Sequence, residues 1–443
     1  MGSRTRSIIN TRQKANDISR RCSDAFCETY GDKPLDSVAP FERDEIILGR
    51  RVGSGAFSSV YEIQALNLRP DQTDVYTDEQ VKKREATAKS VKNGAKYVMK
   101  CLKDELEHSD DEDLFLCAAQ DITHEAEMLA ALSHPNIVQL HGVVASRHDA
   151  FLDGASSFFI ILERLESTLA DKIEEWSKAK KSSKSLRIGR NSTIRCSTSA
   201  VVKDKLEKAS RLGPEGKGSS FQSRLRVAAS LTEAVEYLHS EGVIFHDLKP
   251  NNVGFDRHGN LKLFDFGLAR FMPQHGGDAY TDVYEMSGAG TPRYSAPEVF
   301  FEKPYNLKAD VYSFAVMLWE IMSLKKPFAK CKHRKEFARA VSRGTTPAIN
   351  GRWPQPIQDL LRKSLSDHSV RPTMSEVRQV LDECASSGID FYDCESSGSS
   401  TSNLNPSKRF FFQFSTLSVS STSGTADTIQ DFFHDLDHTT LSA

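Results

Sequence analysis

The stretch Phe245-His246-Asp247-Leu248-Lys249-Pro250-Asn251-Asn252, with Asp265-Phe266-Gly267 thirteen residues after Asn252, decides how this chain is read. From Asp247 to Asn252 a carboxylate, an amine and an amide fall within six residues. Just upstream, Leu225, Ala228, Leu231, Val235 and Leu238 share a helical face, and Gly242 ends that helix. A strand-like segment follows the stretch. A carboxylate can accept a proton and an amine can meet developing negative charge. An amide oxygen with a second carboxylate suits Mg²⁺, which takes oxygen ligands and keeps water. Any one of these acids alone reads as a surface charge. The ordered set does not.

Working outward, Gly53-Ser54-Gly55-Ala56-Phe57-Ser58 lies between two strand-like runs, Glu45–Gly49 and Ser59–Gln64. Glycines allow a tight loop whose backbone N–H groups reach phosphate oxygens. The strand–turn–strand setting excludes a dinucleotide fingerprint, which needs a helix next. Lys96–Leu102 returns to strand character. Leu114, Ile122, Ala126, Leu129 and Leu132 then predict a helix over 114–132, ended by His134-Pro135. Ile137–Val144 and Phe158–Leu162 are two further strands, making an α+β unit. Beyond Leu162 the pattern is helical. Val311, Phe314, Ala315, Leu318, Ile321 and Met322 predict a helix buried on several sides. Thr373-Met374-Ser375-Glu376 predicts a capping box at the start of the last helix.

In order, these landmarks resemble a eukaryotic protein kinase of the serine/threonine type, over roughly residues 44–385. The series runs Gly53–Ser58, Tyr97-Val98-Met99-Lys100, Glu125, His134-Pro135-Asn136-Ile137-Val138, Asp247–Asn252, Asp265-Phe266-Gly267, Ala296-Pro297-Glu298, Asp310-Val311-Tyr312-Ser313 and Arg371. The resemblance implies a bilobal fold, with a small β-rich N-lobe carrying one main helix, a larger α-helical C-lobe, and ATP in the cleft. It implies that Lys100 holds the phosphates while paired with Glu125. Glu127 is the rival partner, and the family spacing to Pro135 favours Glu125. Asp247 would accept the substrate hydroxyl proton, with Lys249 against the transferring phosphoryl group. Asn252 and Asp265 would hold Mg²⁺ or Mn²⁺. The nucleotide would lie against Gly53, Ser54, Gly55, Ala56, Phe57, Ser58, Val60, Val98, Leu162, Glu163 and Leu165. Glu298 and Arg371 would form a buried ion pair, and Asp310 would brace the catalytic loop. The partner so implied is a protein substrate carrying Ser or Thr. A pseudokinase scaffold that binds nucleotide without turnover is the alternative.

Lys249 and Gly290-Thr291-Pro292-Arg293-Tyr294-Ser295 follow the serine/threonine pattern, and Leu318-Trp319-Glu320-Ile321-Met322 resembles the tyrosine-kinase-like subgroup. Four positions depart from the family. Ser58 replaces a loop glycine. Val98 replaces an alanine above the adenine, and Gly254 stands where a leucine floors it, so a larger roof over a smaller floor is expected to conserve volume. His246 stands where many kinases carry an arginine that grips a phosphate on the activation segment. The candidate phosphosites there are Thr281 and Ser287.

The rest of the chain sets limits. It has 443 residues, 39% hydrophobic, and a net charge of −2, which excludes a uniformly basic nucleic-acid coat. No apolar run approaches the ~20 residues of a membrane helix. Eight scattered cysteines, none in CxxC spacing, suggest free thiols in a reducing compartment. The cytoplasm is expected, with the nucleus or an organelle as alternatives. Residues 1–43 lack sustained periodicity and read as an unstructured extension. The N-lobe covers 44–163 with a polar insertion at 65–95, and the C-lobe covers 164–385. Within the C-lobe, 177–219 carries nine more basic than acidic residues and reads as a disordered insertion, with contact to nucleic acid or anionic membrane as the alternative. Residues 386–443 form a Ser-rich tail expected to be disordered, with an odd Phe410-Phe411-Phe412 cluster.

Overall fold

A computed structural model describes residues 2–30, 34–69, 75–109, 111–147, 149–188, 220–273, 279–286 and 290–386. The N-terminal lobe is a six-stranded sheet in the order β1-β5-β6-β4-β3-β2. Its strands are β1 (Pro40–Phe41), β2 (Ile46–Ser54), β3 (Ser58–Leu66), β4 (Tyr97–Leu102), β5 (Leu140–Val144) and β6 (Phe159–Glu163). The neighbours are antiparallel except β1, which runs parallel to β5 with Pro40 opposite Val143. Five of these strands lie where alternation and β-branched runs place them. The two-residue β1 is too short to leave a period.

Three helices belong to this lobe: α1 (Gly2–Tyr30), α2 (Asp78–Lys92) and α3 (Glu112–Ala131). The acidic run before α3 ends in its cap, with the Asp111 side chain accepting from Leu114 N. The expectation of an unstructured extension over 1–43 is corrected, because α1 lies along α3. One face of α1, Arg12, Asn16, Ser19, Ser23 and Phe26 at helical spacing, meets Glu107 and Phe151, Thr123 and Glu127 of α3, and Phe271 with His124. Four of these five residues are polar, so no apolar stripe announces the helix. The polar insertion likewise contains a structured helix, α2, opened by a capping box between Thr77 and Gln80. Arg84 of α2 is buried. It donates to Glu45 Oε1 at 2.6 Å and to the Pro40 carbonyl, and it lies over the rings of Phe41 and Tyr76.

The C-terminal lobe holds α4 (Leu169–Ile188), α5 (Phe221–Ser240), α6 (Pro297–Phe300), α7 (Lys308–Ser323), α8 (Arg334–Ser342), α9 (Gln355–Ser364) and α10 (Met374–Ser386). A three-stranded sheet of β7 (Ser167–Thr168), β9 (Val253–Phe255) and β10 (Leu261–Leu263), and a two-stranded one of β8 (Val243–Ile244) and β11 (Arg270–Phe271), contact α4 and α5. α7 is buried from Ala309 to Met322, as its all-round apolar sequence requires. The capping box of α10 is formed, with Thr373 N donating to Glu376 Oε2 and Glu376 N to Thr373 Oγ1. α4 carries helix into the expected basic insertion as far as Ile188. The rest of that insertion, 189–219, and the tail 387–443 with its Phe410-Phe411-Phe412 cluster lie outside the described residues. No described helix is long and apolar enough to cross a membrane. None of the six described cysteines is in a disulfide.

Candidate active site

The catalytic stretch spans the gap from β8 to β9 and is pinned from below. Asp310, on the first turn of α7, accepts from the backbone N–H groups of Phe245 (2.7 Å) and His246 (3.0 Å), and His239 Nε2 lies 3.1 Å away. His246 has φ +67° and Asp265 φ +70°, a region costly for residues with a side chain. Phe245 packs edge-on against Phe266 with centroids 5.1 Å apart. Gly290 has φ +99°, and a Cβ there would lie 2.6 Å from the His246 carbonyl oxygen, so only glycine lets the two segments approach.

Three sequence-distant carboxylates and two amines converge. Lys100 Nζ on β4 donates to Glu125 Oε2 of α3 at 2.6 Å and to Asp265 Oδ1 at 2.8 Å. Burial alone would lower the Lys100 pKa, but the two carboxylates hold it above the ordinary lysine value. Lys100 in turn holds the Asp265 carboxyl below its usual range. Burial pushes Glu125 upward, against the pull of Lys100. Glu127, the rival partner, faces away, and its Oε1 accepts from Ser23 Oγ at 2.6 Å.

Asp247 Oδ1 accepts from both Thr291 N (2.8 Å) and Thr291 Oγ1 (2.7 Å). Lys249 Nζ lies 2.7 Å from Asp247 Oδ2 and 3.0 Å from Thr291 Oγ1. Asn252 Nδ2 donates to the Asp247 carbonyl (3.0 Å) and to its Oδ2 (2.9 Å). With the amide nitrogen so used, the Asn252 oxygen is the atom left for a cation. Among the described residues no three His, Cys, Asp or Glu side chains converge on a metal position. The Asn252 amide oxygen and the Asp265 carboxylate are hard oxygen donors, which suit a divalent ion that completes its shell with phosphate and water. Arg371 holds Glu298 through two parallel donors, one of them at 2.9 Å.

The glycine-rich loop joins β2 to β3, with Gly53 opposite Val60 and Ser54 opposite Ser59. Gly55 N donates to Ser58 O at 2.9 Å. Lys103 Nζ, which the sequence did not single out, holds the loop through the carbonyls of Gly55 (2.6 Å) and Ala56 (2.9 Å). Val98 pairs with Leu162 across β4 and β6, and Tyr97 with Glu163. A Cβ at Gly254 would lie 2.6 Å from Leu165 Cδ1 and 3.3 Å from Phe264 Cε1, so Leu165 covers the space that residue 254 leaves open.

A family profile described as protein kinase domain matches residues 84–381, more than half of the chain. The chain belongs to the protein kinase family. The profile begins inside α2, so the glycine-rich loop lies upstream of the matched residues. The first part of the 65–95 insertion, up to residue 83, lies between them, although β2 and β3 complete the same sheet. Serine/threonine-protein kinase STY17 of Arabidopsis thaliana is 32% identical over 37% of this chain and 28% of its own length. Serine/threonine/tyrosine-protein kinase HT1 of the same plant is 33% identical over 38% of this chain and 43% of its own. CBL-interacting protein kinase 9 of Oryza sativa subsp. japonica is 31% identical over 47% of this chain and 35% of its own. The chain thus spans less than half the length of each of these relatives. Kinase domains use ATP and a divalent metal in general.

Proposed function

We propose that this kinase transfers the γ-phosphate of ATP to serine or threonine hydroxyls of proteins, with Asp247 as the base. The observation that carries the proposal is the Asp247–Thr291–Lys249 triangle, in which a hydroxyl already sits 2.7 Å from a carboxylate and 3.0 Å from an ammonium. A substrate hydroxyl in that neighbourhood gives its proton to Asp247 as its oxygen bonds to the γ-phosphorus. The bond to the bridging oxygen breaks and ADP leaves. Lys249 meets the charge that spreads over the transferring group, and Lys100, oriented by Glu125, holds the phosphates. Mg²⁺ or Mn²⁺ on Asn252 and Asp265 would supply neutralisation of the phosphate charge. Gly53 to Ser58, Val60, Val98, Leu162, Glu163 and Leu165 form the proposed nucleotide contacts. Retention of Lys100, Asp247, Asn252 and Asp265 argues against the scaffold alternative. Radiolabelled phosphate transfer to a peptide library tests the reading. Wild type should label Ser and Thr peptides, and Asp247→Asn should fall by at least ~10²-fold. Labelling confined to tyrosine, or equal in Asp247→Asn, would refute it.

His246 bears on regulation. Its Nδ1 lies 2.8 Å from the Leu268 carbonyl, so that nitrogen carries the proton, and its Nε2 accepts from Tyr305 O–H at 2.9 Å. Burial holds its pKa below the ordinary histidine value, against the pull of Asp310. A neutral ring with both nitrogens engaged ties the start of the activation segment to Tyr305 and has no donor fork for a phosphate. Thr281 is exposed, and Ser287 lies outside the described residues. The expected result is that Thr281→Ala with Ser287→Ala keeps most activity at about pH 7.5, where a neutral imidazole prevails. Phosphatase treatment should change little. A large loss on either treatment would show that a base on this chain still reads a phosphate.

A further inference from the structure

We propose that α1 is a positioning element for phosphate transfer: it fixes the rotation of α3 that presents Glu125 to Lys100, and it ties α3 to the residues that follow Asp265-Phe266-Gly267. The proposal rests on the kinase reading for its activity readout only. α1 meets α3 along matched four-residue steps. Ser19 Oγ lies 3.1 Å from Thr123 Oγ1, and Ser23 Oγ donates to Glu127 Oε1 at 2.6 Å. Thr123 and Glu127 flank Glu125, so their partners on α1 set the angular position of the residue between them. Earlier on α1, Lys14 Nζ and Thr11 Oγ1 each lie 2.9 Å from Glu112 Oε1, anchoring the first turn of α3.

Phe26 extends the contact to the activation segment. Its ring is buried, edge-on to Phe271 at 5.6 Å and to His124 at 6.5 Å. His124 Nε2 lies 2.6 Å from the Ala269 carbonyl, which can only accept, so His124 donates. One aromatic side chain of α1 therefore covers the joint where α3 is tied to the segment, beside Glu125 in sequence and three residues past Phe266. Both Lys100–Glu125 pairing and placement of Asp265 are needed for transfer. α1 touches the supports of both.

The test uses the full chain. Wild type, Phe26→Ala, Ser23→Asp, Ser23→Asp with Glu127→Gln, and the exposed-face control Asp24→Ala are compared. The readouts are hydrogen exchange over 112–131 and 266–272, ATP affinity, and kcat with KM for peptide. Ser23→Asp sets a second carboxylate against Glu127, and like charges so close cannot both stay ionised without separating. Phe26→Ala and Ser23→Asp should each speed exchange in both windows. Each should also lower kcat at least ~10-fold with peptide KM little changed, since a 1 Å misplacement can cost ~10²-fold. Glu127→Gln should restore Ser23→Asp toward wild type, which a general loss of folding would not allow. Asp24→Ala should behave as wild type. Unchanged exchange in both single variants, or faster exchange at unchanged kcat, would overturn the proposal. If wild type shows no transfer at all, the catalytic reading fails. Exchange and ATP affinity then decide the role of α1: weaker ATP binding in the two variants supports it, and equal binding ends it.

Discussion

Lys100→Met and Asp265→Asn are each expected to lower phosphate transfer by at least ~10²-fold while the chain stays folded, because positioning and charge stabilisation supply most of this catalysis. Lys100 Nζ bridges Glu125 and Asp265. Its removal leaves two carboxylates near each other without their cation. Glu125 is already pushed upward by burial, so it can take up a proton instead of remaining a stranded buried charge. The cost therefore falls on function more than on stability. Turnover and urea midpoints measured side by side check this. Near-wild-type turnover in either variant would show that the cleft works by other groups.

The second large effect is on stability. Acidification from about pH 7.5 to about pH 5 should destabilise the fold by roughly 4 kcal/mol, about 2 kcal/mol from each of two histidines. Burial lowers His124 to about 4, with Arg270 adding to the effect, and burial lowers His141 to about 4, with Lys262 adding. A histidine whose folded pKa is depressed stays neutral in the fold while the unfolded chain takes up a proton below about pH 6.5. Stability is therefore complete above that value and falls as pH drops toward 4. Buried His246 and half-buried His134 shift the same way and add to the slope. A few kcal/mol is a large share of a typical 5–15 kcal/mol. Urea midpoints across this window check it, and His141→Phe should remove about half of the fall. A flat or rising profile would contradict the burial of these rings.

What was legible in the sequence was legible for a reason. The cleft chemistry needs particular functional groups in a fixed order, so Asp247, Lys249, Asn252 and Asp265 are visible as residue types. The strands around the glycine loop and helices α3, α5 and α7 bury apolar faces and leave a period. α1 leaves almost none, because it is held mainly by polar side chains, Ser19 and Ser23 against α3 and Arg12 and Asn16 against the turns at Glu107 and Phe151, and among its described side chains only Ala15 and Phe26 of the apolar ones are buried. Arg84 is similar. A lone arginine in a polar helix reads as solvated, and its partners Glu45 and the Pro40 carbonyl are far off in sequence. The cover over Gly254 depends on where the Leu165 side chain turns, which no local pattern encodes. Lys103 looks like an ordinary strand-end lysine until the loop folds back onto it.

The pairing of Pro40–Phe41 with β5 has a consequence for how the molecule avoids its own copies. Phe41 lies over Gly142 so closely that a Cβ there would come within 2.6 Å of the ring, and the two residues of β1 close the edge of the sheet at Pro40–Val143 and Phe41–Val144. A chain trimmed to residue 44, the boundary the motifs suggest, would end its sheet on Leu140–Val144. That strand would present a row of unpaired backbone groups beside Val143 and Val144, a template for edge-to-edge association. The stub of strand before the first kinase landmark thus serves as a guard rail: with it the sheet is finished, and without it the isolated domain should be recovered as oligomers.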